Sequence, residues 1–427
     1  MAEMKYSGIK WIGDIPKEWS MSKYKYFSES RMGETILSEE TVEQGIPVYS
    51  ATESNDIFGF VSSSKLILRK NDFVIPARGN SVGFITIVPD DKATCTQTTI
   101  CSRNIHDINY KYLYYSGVAY KNDWFRYDGS AIPQITVSQI NNNKLVIPSI
   151  KEQKLIADFL DEKVDTIDNI ICDLDNQIEI LGKYKKQLIS EAVIKGLNKK
   201  VSMKDSEVEW IESIPKHWNI KLIKNICSLK GRIGWEGLTK DEYISEGPTL
   251  ITGINFDNGS INWDSCEHVS EWRYNQDKSI QIKNKDLLIT KDGTVGKVAI
   301  VKNCPEKVTL NSGVLLLRPL NNEYIEKYLY YVLLSNEFWH WFEIENIGNT
   351  TIIHLYQNRF AKFKLALPPI DEQKEIVNYL DIKCSEIEEI LNSKIKQKEQ
   401  MEQYKKSVIY EYVTGKKRVE GAEELYG

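Results

Sequence analysis

The stretch Gly293-Thr294-Val295-Gly296-Lys297 resembles a phosphate-binding loop. Such a loop needs four residues between its glycines and a Ser or Thr after the lysine, so that backbone amides cradle phosphates and a hydroxyl reaches Mg2+. Here the glycines stand too close and Val298 follows the lysine, so the stretch does not make a nucleotide site. Asp286 and Lys291 have the types of a nuclease acid–acid–lysine cluster, but Ile289 stands where the second acid is needed. Amino-methyltransferases place a substrate amine with an Asn/Asp-Pro-Pro-Tyr/Phe motif; the Pro368-Pro369 pair is flanked by Leu367 and Ile370 instead. Seven cysteines (Cys95, Cys101, Cys172, Cys227, Cys266, Cys304, Cys384) are scattered and odd in number, without a C-x-x-C pair. They read as reduced thiols in a cytoplasmic protein, and the five histidines supply no zinc spacing. No metal site and no catalytic residue is expected.

What remains is chemistry suited to binding. Arg78-Gly79-Asn80-Ser81-Val82-Gly83 and Lys291-Asp292-Gly293-Thr294-Val295-Gly296 fall in turns between strand-like segments. Glycine permits close backbone approach, and the short polar side chains suit phosphates or base edges. Thr96-Gln97-Thr98 and Asn311-Ser312 form a second pair of polar clusters; Gln and Asn can bond adenine through two contacts. Gly129-Ser130 and Gly348-Asn349-Thr350 form a third. Lys230-Gly231-Arg232-Ile233-Gly234-Trp235 is matched only by Arg31-Met32-Gly33, and either arginine could meet guanine or phosphate. The candidate DNA contacts are therefore Arg31, Arg78, Asn80, Ser81, Gln97, Thr98, Ser130, Arg232, Lys291, Thr294, Asn311, Ser312, Asn349 and Thr350. Hairpin turns, strand caps and surface charges use the same residue types, so both uses stay open. The aromatic runs Tyr112–Tyr115 and Tyr328–Tyr331 read as core rather than as stacking platforms.

Charge argues against simple DNA binding. The 427 residues carry a net −5. Residues 1–148 and 149–204 are each neutral, 205–366 carry −2 and 367–427 carry −3. Any DNA affinity must come from local clustering on one face or from a partner subunit. No apolar run approaches the roughly 20 residues of a membrane span.

The elements that must position these residues come in two copies. Residues 4–19, MKYSGIKWIGDIPKEW, recur as MKDSEVEWIESIPKHW at 203–218. Residues 147–163, IPSIKEQKLIADFLDEK, recur as LPPIDEQKEIVNYLDIK at 367–383. The offset drifts from 199 to 220 across the middle, so the two halves share a frame and differ inside. Each half begins with short Ile/Val/Leu/Phe-rich segments between Gly, Asn, Asp and Pro turns, which predicts an α+β domain. The period then changes. Leu160, Val164, Ile167, Ile171, Leu174, Ile178 and Leu181 are spaced 4, 3, 4, 3, 4, 3, a coiled-coil seam. Ser149 and Glu152 suit the start of that helix and Gly196 its end, a length of roughly 67 Å. The second helix runs from Pro368-Pro369 to near Gly415, with Lys394 and Lys398 on a poorer seam. The expected domains are 1–148 and 201–366, each α+β, with helices and tail at 149–200 and 367–427. If the helices pair within the chain they run antiparallel, with one domain at each end and approximate two-fold symmetry. Pairing between two chains remains the alternative.

The W-I-x-x-I-P-x-x-W block, the [IL]-P-x-I-x-E-Q-K block and the long helix after it, each present twice, resemble the specificity subunit of type I restriction-modification systems over roughly residues 4–416. The resemblance implies two target-recognition domains, each reading one half of a split, asymmetric double-stranded DNA site. It implies helices that dock two modification (methyltransferase) subunits, with restriction (translocase/nuclease) subunits joining them. S-adenosylmethionine is then expected on the modification subunits and no cofactor in this chain. A rigid helix pair would also set the spacer between the half-sites. The competing reading is a coiled-coil tether carrying two interaction domains with no DNA role.

Overall fold

The computed structural model describes residues 3–126, 133–232, 238–346 and 354–421. The chain divides into two compact units: residues 1–175 with 395–427, and residues 176–394. Both are α+β, and each carries a length of both long helices.

In the first unit a four-stranded antiparallel sheet has the order Ser28–Met32, Thr99–Asn104, Phe73–Pro76, Thr86–Ile87. A three-stranded sheet places Ile46–Tyr49 between Ile57–Val61 and the parallel strand Thr94–Cys95. Phe73–Pro76 is buried throughout, which explains its unbroken apolar run. In the second unit the order is Cys227–Lys230, Val314–Pro319, Leu287–Thr290, Val298–Ile300. Ile244–Ile251 lies between Glu267–His268 and the parallel strand Val308–Leu310. The wiring of these two sheets is the same in both units. An ion pair of a buried aspartate with a half-buried arginine is repeated too: Asp72 with Arg103 at 2.7 Å, and Asp286 with Arg318 at 2.5 Å. Asp286, the nearest approach to a nuclease acid, is thus committed to structure.

The repeated sequence blocks meet each other in space. Trp19, fully buried, donates from Nε1 to Glu152 Oε2 at 2.8 Å; Trp218 donates to Glu372 Oε2 at 2.9 Å. Gln153 accepts from Asn109 N and donates to the Pro148 carbonyl; Gln373 accepts from Ile325 N and donates to the Pro368 and Glu323 carbonyls. The leading Trp and the Glu-Gln of the closing block therefore recur because they lock the domain to the start of its helix.

The long helices span Ile150–Lys195 and Ile370–Val413. Ser149 Oγ accepts from Glu152 N at the start of the first. Gly196 and Gly415 end them with φ near +70°, a left-handed cap that other residues adopt at a cost. A Cβ on either would press on Trp218 or Trp19, each 3.0 Å away at its ring. In the first unit the helices run antiparallel: Phe159 packs at a tilt against Tyr412 with ring centroids 4.4 Å apart, Lys405 pairs with Asp168 and Lys398 with Asp175, both at 2.7 Å. In the second unit Lys185 pairs with Glu388. The pairing is within the chain. Leu160, Ile167 and Leu174 are buried, and Val164, Ile171, Ile178 and Leu181 are half-buried. Lys398 fits the line by reaching sideways to an acid.

The tyrosine runs are core. Tyr112 donates to the carbonyls of Val146 and Val413, and Tyr328 to those of Ala366 and Val193. Tyr115 and Tyr331 donate to Asp161 and Asp381 at 2.7 and 2.6 Å. Burial, then the neighbouring carboxylate, pushes both hydroxyls well above their ordinary range.

Candidate nucleic-acid interface

Five of the first unit's candidates gather at one end of its two sheets. The turn after Phe73–Pro76 closes with Gly83 N bonded to the Pro76 carbonyl. Gly83 has φ +80°, and a Cβ there would collide with the Phe125 ring, so glycine is required. Ala77 N bonds the Thr98 carbonyl at 2.9 Å, joining this turn to the Thr96–Thr98 turn. Ser81 Oγ donates to the Ala51 carbonyl, and Thr96 Oγ1 to Ser50 Oγ, which adds the segment after Ile46–Tyr49. Thr35 donates to Gln97 Oε1 at 2.8 Å, and Arg78 bridges to Gln134. Arg78, Asn80 and Gln97 are exposed; Ser81 and Thr98 are half-buried. The result is a short polar rim built from five separate segments, with Ser50, Thr35 and Gln134 as members that the sequence did not reveal. Arg31 is exposed on an edge strand opposite Cys101. A hydrogen bond with Cys95, and the Arg31 charge, act to lower the Cys101 thiol.

The second unit repeats the construction. Lys291 N bonds the Gly313 carbonyl at 2.8 Å, and Asn311 N bonds the Ile251 carbonyl at 2.9 Å, matching Ala77–Thr98 and Thr96–Tyr49. Gly296 N bonds the Thr290 carbonyl, and a Cβ on Gly296 would collide with Trp339 as one on Gly83 would with Phe125. Thr294 is exposed, whereas Lys291, Asn311 and Ser312 are half-buried. Asn311 Nδ2 reaches Tyr243 OH at 3.4 Å. His354 pairs with Asp292 and packs on Tyr356, whose ring lies under Arg359 at 5.2 Å.

Two sequence expectations change. The ladder bonds align Lys291 with Ala77, not with Arg78: Leu355 N bonds the Lys291 carbonyl as Ile135 N bonds that of Ala77. The second turn is one residue shorter, so Asp292 stands where the first unit has Arg78. Arg232 is not a surface reader. It is 1% exposed, and its guanidinium bonds the Leu310 carbonyl at 2.9 Å, Thr309 Oγ1 at 3.2 Å and Gln276 Oε1 at 3.4 Å. A buried charge persists where donors are satisfied, and here carbonyl and hydroxyl oxygens do that. Ser130, Asn349 and Thr350 lie outside the described residues.

Two α+β units of one wiring, each with a polar rim of turns and each packed on a length of a paired helix, define a double recognition protein. Residues 16–180 and 215–397 match the family described as the type I restriction modification DNA specificity domain, and the chain belongs to that family. Its role is DNA sequence specificity, as a non-catalytic subunit. The specificity subunit of the type I restriction enzyme MjaVIII from Methanocaldococcus jannaschii is 25% identical over 419 residues, 95% of this chain and 94% of that one. The EcoBI specificity subunit from Escherichia coli is 22% identical over 257 residues, 58% of this chain and 53% of that one. The fold is similar to a chain in a solved structure on complex assembly and conformational transition of the type I R-M system. The TM-score is 0.69 at 12% identity, covering 93% of this chain and 98% of that chain. The tether reading is set aside by the family. Among the described residues no helix is long and apolar enough to cross a membrane, and no group of three or more His, Cys, Asp or Glu could hold a metal ion.

Proposed function

We propose that the chain reads a bipartite, asymmetric DNA site, one half per unit, and directs methylation and restriction by partner subunits. One observation carries this reading. The two rims share their wiring to single hydrogen bonds yet present different side chains: Arg78 against Asp292, Gln97 against Ser312, Thr98 against Gly313. One scaffold with two sets of readers calls for two different half-sites.

The protein works as part of a complex with other restriction-modification subunits and DNA. No segment carries a net positive charge, since acidic side chains balance or outnumber the basic ones throughout, so the chain's own grip on DNA phosphates is weak. Two modification subunits, docked on the paired helices, supply the missing phosphate contacts and carry S-adenosylmethionine. Restriction subunits join that core. Free thiols at all seven cysteines suit the reducing cytoplasm.

The test is co-expression with the modification subunit, mass measurement of the complex, and methylome sequencing with and without this gene. We expect two modification subunits per chain and a gene-dependent, two-part, non-palindromic motif. A palindromic motif, or methylation by this chain alone, would overturn the reading.

A further inference from the structure

Ile254 is 80% exposed, more than any other large apolar side chain among the described residues. Isolated exposed aliphatics are common, and exposure alone carries nothing. Two further observations set this one apart.

First, the turn that carries Ile254 is held rigidly. Asn255 is buried, and its Oδ1 accepts from Thr252 N at 2.7 Å and from Thr252 Oγ1 at 2.8 Å. Its Nδ2 donates to the Ser265 carbonyl at 2.7 Å, and Asn255 N bonds the Thr252 carbonyl. Phe256 is buried directly after it. An isoleucine on a floppy loop could fold back onto apolar surface; on this turn it is fixed in water.

Second, the turn belongs to the second unit's rim. Ile251 accepts from Asn311, and a Cβ on Gly253 would lie 3.5 Å from Thr290 Cγ2 and 3.9 Å from the Asp292 carbonyl. The matched bond Thr96 N to Tyr49 O aligns Tyr49 with Ile251, and counting three residues on from each puts Thr52 at the place of Ile254. The first unit presents an exposed hydroxyl residue where the second presents a bare aliphatic one.

An aliphatic side chain cannot read a hydrogen-bonding edge. On the same rim, Thr294, Asn311 and Ser312 carry short polar groups of the kind that read base edges. Among those edges the apolar feature is the thymine 5-methyl group in the major groove. We propose that Ile254 reads a thymine 5-methyl group in the half-site contacted by the second unit. The inference rests on the DNA-reading role proposed above.

The experiment uses the assembled complex of this chain with its modification subunits. Once the methylated motif is known, duplexes are made in which each thymine of the site is replaced singly by deoxyuridine, and binding is measured by competition. Deoxyuridine keeps pairing and removes only the methyl. One position, in one half-site, should weaken by roughly threefold to fivefold, the worth of about one buried methylene-sized group. In the complex carrying Ile254→Ala that sensitivity should vanish, while the other half-site is read as before. Ile254→Ser, which leaves a short hydroxyl and no methyl group, serves where Ile254→Ala fails to assemble. If no thymine position responds, or the response is unchanged in both variants, the proposal fails while the DNA-reading role stands. A side chain wedged between base steps would weaken binding on Ile254→Ala equally with thymine and uracil, and would also overturn it. A wild-type complex with no two-part motif would overturn the role and the proposal together.

Discussion

Glu152 and Glu372 make the same bond to a buried tryptophan in very different surroundings. The Glu152 side chain is fully buried, and its second oxygen accepts from Arg418 at 2.8 Å, itself 10% exposed. The Glu372 side chain is 37% exposed, and its second oxygen meets His217 at the surface. Removing one member of a buried pair strands the other charge, so Glu152→Ala should cost about 3–5 kcal/mol. Glu372→Ala, screened by water, should cost about 1 kcal/mol. Denaturant unfolding of both variants checks this; equal losses would show that burial does not set the difference. Arg232 and Gln97 allow a second test. Arg232→Ala leaves buried oxygens unpaired and a cavity, so stability should fall by about 2–4 kcal/mol with the methylated motif unchanged. Gln97→Ala, at the surface, should alter stability by under about 0.5 kcal/mol and change one half-site. A changed motif for Arg232→Ala would return that residue to the reading surface.

Among the elements, the seam and the ion pairs that flank it contribute unequally to the helix pair. Ile167 and Leu174 are 3% and 6% exposed. Truncating either to alanine removes buried carbons and leaves a void, a loss of about 2–4 kcal/mol. Asp175→Ala removes the partner of Lys398, but that pair is half in water, so the loss should stay below about 1 kcal/mol and shrink further in salt. Thermal unfolding at two salt concentrations separates the effects. Inserting two residues after Asn176 turns the rest of the helix by about 200° and takes the downstream seam off its partner, whereas four residues restore the phase to within about 40°. The first insertion should abolish assembly and the second should not. The seam was legible in the sequence because a 4-3 repeat is local, and a helix converts local spacing directly into a face. Which way the poorer seam of the second helix resolves was not legible: Lys398 reaches sideways to Asp175, a contact its length allows.

For the whole molecule, chain order and domain membership diverge. The first unit contains residues 395–427, and its core includes Val408, Ile409 and Val413 beside Trp19 and Tyr112. The second unit draws Ile189, Ala192 and Val193 into its core beside Trp218 and Tyr328. A chain ending at residue 403 should therefore loosen the unit nearest the N-terminus. Amide exchange should lose protection in Phe73–Pro76 and Thr99–Asn104, and keep it in Leu287–Thr290 and Val314–Pro319. Intact protection in the first pair would show that this unit holds without the last helical turns. The repeat in the sequence did determine that there are two like domains, two long helices and a shared frame with unlike interiors, because each is written in contiguous residues. The rims were decided only by tertiary structure. Ser50, Arg78, Gln97 and Gln134 are brought together by strand pairing across tens of residues, a one-residue difference in turn length moves Asp292 into the place of Arg78, and burial removes Arg232 from the surface. Side-chain type is a local property, but whether a polar group faces water or the interior depends on what non-local segments pack over it.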